Sequence, residues 1–387
     1  MKTICVCTSV HRAWDVRIFE KEILTLLKRH RVIYVAPETD SQPPRIPAGL
    51  TYIPLKKTHN RLLRFFRVLF VFRQLFSLRD QVVSYHVHDP ELSIALAALK
   101  ILTGKYCIYD VHENHSAAIR DRFWIPLFLR RLFSAAFSII EKICTPFFDA
   151  VVCVSDEIAQ LYPNTDKIVL PNYPSKMHYH SIPRFDQKKP YILLAGGLTR
   201  VRGVLPAVQA FVMAKLPEEF QLILLGWFES EDLKRTILKI LADSDKKNRY
   251  QYIPFVPYRE SLRYVKESAI GIIPYLDYLN HRFGIPTKIF EFMAAGTPII
   301  YNNLPNYRRL LEPYQLGLSV DCSDIIAISK AMEKLAHNPS LRQKIGEQAR
   351  QLCLTKFNWE QQENVLLNLY EFPSRCCVFS KVVSCDD

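Results

Sequence analysis

The chain has 387 residues, 49% of them hydrophobic and 23% charged, and a formal charge of +13. That length supports two domains with full cores, and the composition excludes disordered, collagen-like and low-complexity classes. The positive charge sits among large apolar residues and outside any nucleic-acid motif, which argues against a nucleic-acid partner.

In chain order, a β-type run over 3–9 opens the sequence. Its apolar stretch is too short for a signal peptide. Cys5, Cys7, Cys107 and Cys153 lie in similar runs, where free cysteine acts as a small hydrophobe. Paired CxxC units are missing, so no zinc or other metal site is expected, and a reducing cytoplasm fits this cysteine usage. The loop after the first strand, 9–17, lacks GxGxxG, and no Walker A run occurs, which removes the dinucleotide-binding dehydrogenase and P-loop readings. A helical pattern follows over 14–28, then a strand over 32–36.

The stretch 56–79 carries seven basic residues (Lys56, Lys57, Arg61, Arg64, Arg67, Arg73 and Arg79) and no acid. Interleaved Leu and Phe give it a wide apolar face. A basic amphipathic helix of this kind lies on an anionic membrane surface, and its arginines leave no apolar run of about 18 residues that could span one. The competing reading is a core helix with a solvated basic face. A second segment, 123–148, has a similar character.

Strands are expected at 82–87, 106–111 and 150–154, alternating with helical patterns at 91–102 and 116–143. A Pro-containing polar stretch, 171–190, reads as a linker. The alternation then restarts, with strands at 191–195, 220–225, 252–255, 269–274, 298–301 and 318–320. A last helical pattern, 359–370, crosses back to the first domain. The order βαβα implies parallel sheets with helices on both faces. The expected fold is therefore α/β: two Rossmann-like, doubly wound domains facing a cleft, with ligands at the carboxyl ends of the strands. The domains are 1–173, with helix 358–372 packed back on it, and 188–356. Residues 373–387 form a tail holding Cys376, Cys377 and Cys385.

Two segments of the second domain carry phosphate-type chemistry. Gly196-Gly197-Leu198-Thr199-Arg200-Val201-Arg202-Gly203 follows a strand and precedes a helix. Glycines allow close approach to a phosphate, a helix N-terminus favours an anion, and arginines supply planar forks. A turn with surface arginines has the same spacing. In the segment 280–300, Pro286 opens a helix as its first residue. Lys288 and Glu291 share its face, and Gly296 ends it. An ordinary surface ion pair again has the same spacing. His11, His88 and His112 lie at strand ends, where structural histidines are also found.

The segment with Pro286, Lys288, Glu291, Phe292, Met293, Ala294, Gly296 and Pro298 resembles the nucleotide-binding signature of retaining GT-B glycosyltransferases of family 4. Further blocks extend the resemblance along nearly the whole chain: His11 to Phe19, His88 to Leu92, Tyr109 to Glu113, Val154-Ser155, Pro171-Asn172 and Gly197 to Gly203. The resemblance implies transfer of a sugar from a nucleotide-sugar donor with retention of configuration, without a metal and with no cofactor beyond that substrate. It implies that Glu291 binds the donor ribose. Arg202 and Lys288, with Arg200 nearby, neutralise the diphosphate, alongside Gly197, Thr199 and Pro286. His112 lies near the transferred sugar. His11, Asp15, Arg17, His88 and Asp89 shape the acceptor side. In one departure, Phe283 stands eight residues before Glu291, where many members carry an acid that contacts the donor sugar.

Together with the basic surface at Arg61, Arg64, Arg67 and Arg73, the resemblance leads us to expect a lipid-linked or polysaccharide acceptor. It also leads to an enzyme on the inner membrane face that acts in envelope, capsular or O-antigen glycan assembly. A nucleotide-sugar 2-epimerase of the same fold and a catalytically inactive partner subunit are the alternatives.

Overall fold

The computed structural model describes residues 1–39, 46–56, 63–122 and 125–371, with no account of the side chains at 63–66. Arg61 and the tail 373–387 lie outside the described residues, as does the side chain of Arg64. The chain divides into two units, Met1–Asn172 completed by the segment from Gln361, and Tyr173–Glu360.

The first unit is built on a seven-stranded sheet of β1 (Thr3–Cys7), β2 (Arg31–Pro37), β3 (Leu50–Leu55), β4 (Ser84–Val87), β5 (Tyr106–Val111), β6 (Ala150–Cys153) and β7 (Lys167–Val169). Their order is β3-β2-β1-β4-β5-β6-β7. The second unit has six strands: β8 (Lys189–Leu198), β9 (Gln221–Phe228), β10 (Tyr250–Ile253), β11 (Ser268–Ile273), β12 (Ile299–Asn302) and β13 (Gly317–Val320). They run β10-β9-β8-β11-β12-β13. Every pairing is parallel.

Both faces of the second sheet are covered, as a parallel sheet requires. Ile192, Leu194, Leu222, Leu224, Ile270 and Ile272 feed one core. Their alternates Leu193, Ile223, Leu225 and Ile273 feed the other, the period of two expected of strands. In each sheet the strand order reverses once, between β1 and β4 and between β8 and β11. Loops at such a reversal diverge to opposite faces and open the crevice where doubly wound folds bind ligands.

Several sequence expectations shift. Tyr173 belongs to the second unit, because its ring packs edge-on against Phe290 and Phe357, 4.7 and 5.4 Å between centroids. The segment after it is not a free linker: Tyr179 is fully buried, and Pro174 O accepts from Trp359 N at 3.0 Å. The return to the first unit therefore starts at Gln361 rather than 358, and the returning helix is Glu363–Glu371. The pattern over 116–143 is two helices, His115–Arg120 and Leu127–Cys144, since Pro126 interrupts the run as N-cap of the second. The pattern over 14–28 begins as a π-helix, Val16–Ile23, capped by Asp15 through Arg17 N and Ile18 N. The seven described cysteines are all buried and free.

Candidate active site

In the first unit the carboxyl ends of β1, β4 and β5 bring together His11, His88, Asp89, Asp110 and His112. Asp89 follows β4 and is buried. Its Oδ2 accepts from Thr8 Oγ1 at 2.7 Å, from Val10 N at 3.2 Å and from Ser9 N, so the carboxylate organises the whole loop after β1. Its Oδ1 lies 2.8 Å from His11 Nδ1. Burial would neutralise both partners. It is outweighed by their mutual hydrogen bond and charge, which raise His11 to about 9 and hold Asp89 well below the usual carboxylate range. His11 is thus a half-exposed cation at neutral pH, with its ring 5.0 Å from that of His112.

Behind this pair lies a buried cluster. Arg17 Nη2 donates to both oxygens of Asp110 at 3.1 and 3.0 Å, its Nη1 to Leu170 O at 2.9 Å, and its Nε faces Glu22 Oε1 at 2.9 Å. Arg17 and Glu22 are five residues apart. An α-helix would set them about 140° apart, whereas the i→i+5 repeat of the π-helix brings them to one side. His86 and His88 are two apart along β4 and share a face, with rings stacked at 4.6 Å. His86 Nδ1 meets Tyr370 Oη at 2.6 Å, and His88 Nδ1 meets His112 Nε2 at 3.2 Å.

Glu22, His86, His88 and Asp110 each place a nitrogen or oxygen within 4.8 Å of the others. Arg17 is the cation of this group. Burial and neighbouring Asp110 push Glu22 well above the usual carboxyl range. Asp110, which burial would raise, is held low chiefly by Arg17. Burial lowers His112 to about 3 and holds His88 well below its ordinary value, so both rings are neutral.

The residues expected on the acceptor side divide by exposure. Arg17 and His88 are fully enclosed and Asp89 is occupied by its own loop, so none of the three reaches solvent. Asp15 is spent as a helix cap. His11 and His112 remain open, the latter with 18% of its side chain exposed. Glu22, His86 and Tyr370 went unnoticed in the sequence. The alternation His86-x-His88 beside Asp110-x-His112 was the available signal.

In the second unit, β8 extends to Leu198, so Gly196 and Gly197 belong to the strand and the loop begins at Thr199. Gly197 leaves room that a Cβ would close, with Arg202 Nη1 only 2.9 Å and Trp227 3.1 Å from its position. Arg202 lies over the Tyr275 ring, 5.2 Å to the centroid, and its amide donates to Thr199 Oγ1 at 3.2 Å. Among the described residues no carboxylate pairs with Arg202. Arg200, by contrast, points to Glu229 and Asp232 at 3.5 and 3.4 Å, and two acids neutralise the charge expected to serve a phosphate.

Pro286 is the N-cap, not the first residue, of helix Thr287–Ala294. Lys288 Nζ donates to Glu291 Oε2 at 2.6 Å and to Ser261 Oγ at 3.4 Å, with Glu291 nearly buried. The pair is therefore not an ordinary surface bridge. Phe283 ends the turn Leu279–Arg282 and is half-buried. Among the described residues no contact joins Arg202 to Lys288.

The basic amphipathic surface is also redistributed. In helix Leu63–Ser77, Val71 and Leu75 are buried, Arg67 is half-buried and Arg73 exposed. Among the described side chains the larger apolar exposure is on Leu127–Cys144, through Leu127, Phe128, Leu132, Ile139 and Ile143, with Arg131 and Lys142 among them. Helix Ser93–Thr103 packs against both and adds exposed Ile101 and Leu102. Among the described residues no helix is long and apolar enough to cross a membrane.

Comparison with known proteins places a family on each unit. The description "Glycosyltransferase Family 4" matches residues 23–168 and "Glycosyl transferases group 1" matches 176–352. The amylovoran biosynthesis glycosyltransferase AmsK of Erwinia amylovora is 25% identical over 169 residues, 43% of this chain and 41% of AmsK. The match thus spans less than half of that relative. Among solved structures, sucrose-phosphate synthase from Thermosynechococcus elongatus superposes with a TM-score of 0.76 at 15% identity, over 96% of this chain and 98% of that one. Anabaena HepE, in complex with UDP and glucose, gives 0.71 at 11% identity over 95% and 99%. Two parallel-sheet Rossmann-like units, each matched by its own glycosyltransferase family, identify the chain as a member of the family 4, group 1 glycosyltransferases of GT-B fold.

Proposed function

We propose that the protein transfers a sugar from a nucleoside-diphosphate donor to a lipid-linked or polysaccharide acceptor, with retention of configuration. The observation that carries this reading is Arg202: a half-buried guanidinium at the strand-order reversal of the second unit, stacked on Tyr275, with no carboxylate partner among the described residues. The leaving diphosphate gains negative charge as the anomeric C–O bond breaks. A fixed cation there stabilises the charge that develops, and it works best where water is excluded.

Lys288 supplies a second cation. Glu291 holds it at 2.6 Å and is itself the acceptor for the ribose hydroxyls. His112, neutral and partly open, meets the donor sugar, with the His11 cation beside it. Phe283 puts an apolar surface where an acid would otherwise hold sugar hydroxyls. The polysaccharide acceptor is supported by the relative AmsK, a glycosyltransferase of amylovoran biosynthesis. The lipid-linked form is supported by the exposed apolar, basic helix face of the first unit, which fits a protein resting on the inner face of a membrane.

The test is nucleotide binding. UDP, GDP and ADP are titrated into wild type, Glu291→Ala and Arg202→Ala, and thermal stability is followed. A ligand at a hundred times its Kd stabilises the native state by about 2.7 kcal/mol. One base series should stabilise wild type, and both variants should lose that response. A folded protein indifferent to all three nucleotides would refute the donor site and leave the inactive-subunit reading. Consumption of donor without acceptor or released nucleoside diphosphate would instead identify a 2-epimerase.

A further inference from the structure

His112 is held from behind by a histidine that never reaches solvent. His88 is fully buried, its Nδ1 lies 3.2 Å from His112 Nε2, and its Nε2 has no hydrogen-bond partner within the usual limits. The nearest candidate is Glu22 Oε2 at 3.5 Å, also buried and also without a partner. Two orphan polar atoms facing each other in a dry interior are each other's natural partners, since unmet buried groups are costly.

We propose that His88 is a positioning residue which, keyed by Glu22, fixes the tautomer and ring plane of His112. The proposal rests on the reading that His112 meets the donor sugar.

The direction of the chain follows from Glu22. Its Oε1 is the oxygen turned to the Arg17 cation, 2.9 Å from Nε, where a carboxyl proton would be repelled. A proton on this carboxyl therefore sits on Oε2, the oxygen turned to His88. Burial beside Asp110 keeps that proton in place at neutral pH. Oε2–H then donates to His88 Nε2, which leaves the His88 proton on Nδ1. Nδ1–H donates to His112 Nε2, and the His112 proton is left on Nδ1. The hydrogen bond at one ring nitrogen decides what the other carries, and here the decision passes through two rings. The remaining neighbours leave this order intact. Asp110, held at both oxygens by Arg17, lies 3.6 Å from His88 Nδ1 and 3.5 Å from His112 Nε2; the first contact favours this order and the second opposes it, so it favours neither direction. His86 is engaged by Tyr370, and the His11 cation by Asp89. A free histidine side chain prefers its proton on Nε2, so the assigned state is one that the protein must impose.

Long-range ¹H–¹⁵N spectra of the His112 ring test this in the full-length protein. Wild type should show the proton on Nδ1. His88→Asn, whose amide can take the place of Nδ1–H, should keep that state, and so should Glu22→Gln, whose amide donates as the protonated carboxyl does. His88→Leu should move the proton to Nε2 and lower kcat for turnover of the nucleotide sugar without raising KM for it. A wild-type ring protonated on Nε2, or a folded His88→Leu protein still protonated on Nδ1, overturns the proposal. So does an unchanged kcat in His88→Leu where His112→Ala loses turnover. Turnover that survives His112→Ala refutes the donor role of His112 instead, and leaves the tautomer result to be judged by itself.

Discussion

Asp89 shows how one carboxylate builds a surface without appearing on it. It gathers the amides of Ser9 and Val10, the Thr8 hydroxyl and the His11 ring, and what remains exposed is the histidine cation. Asp89→Asn should cost about 2–3 kcal/mol, because hydrogen bonds to a charged acceptor become neutral ones. The pH dependence has a definite sign. His11 is raised to about 9, so its contribution is complete below the ordinary histidine value of about 6.5 and is lost as pH rises through about 9. Asp89 is depressed, so its contribution is present above the ordinary aspartate range and is lost as pH falls through the depressed value. Urea unfolding should therefore separate wild type from Asp89→Asn most at pH 5–6, with the gap narrowing between about 6.5 and 9. A gap that widens with pH would contradict the pairing. At this scale the sequence was only half legible. The motif residues could be named, but not which of them face solvent, and neighbours such as Glu22 and His86 acquire meaning only when distant strands bring them within reach of Arg17 and Tyr370.

Among the elements, strands made of long β-branched or aliphatic runs were readable, and the two missed were edge strands. β3 contains Pro54, which breaks a strand pattern and is tolerated at an edge. β7 has three residues, and its apolar run, Ile168 to Leu170, is cut short by Pro171. The π-helix was invisible because its apolar positions also suit an α-helix. Loop geometry after β8 gives a sharper test. Gly203 has φ 71° and a Cβ there would sit 2.0 Å from Pro274 O, whereas Gly104 has φ 65° with nothing within 4 Å. Both sites charge a left-handed penalty of about 1–2 kcal/mol to alanine. Gly104→Ala should cost about that much. Gly203→Ala should cost clearly more and should weaken nucleotide binding, since the helix start must move away from β11. Equal losses in denaturant midpoint would deny the close approach.

At the scale of the molecule, the first unit presents the exposed apolar helices and the second the candidate diphosphate cations. Charge reversal at Arg73, Arg131 and Lys142 should reduce binding to vesicles containing anionic lipid by about 1 kcal/mol per residue near the surface, and should leave nucleotide-induced stabilisation intact. Sedimentation with vesicles at two salt concentrations measures it, and binding unaffected by the reversals would remove the membrane proposal. The two-domain division was legible because the alternation of strands and helices pauses at 171–190 and then restarts. The exact crossing points were not, because Tyr173, Pro174 and Trp359 reveal their allegiance only through packing.

The helix Glu363–Glu371 has a consequence for how the molecule is made. Tyr370 closes the buried histidine cluster through its contact with His86, and its carbonyl receives Lys2 Nζ at 2.9 Å. On a ribosome the first unit must therefore wait, with its π-helix, Arg17 and Asp110 already synthesised, until residue 370 has emerged. The second unit, a continuous stretch of chain, is complete at Glu360 and needs nothing from the segment that follows. Co-translational folding of this protein should finish at its beginning. Chains ended at residue 360 and released from the ribosome should hold a protease-resistant second unit beside a first unit that is still cut.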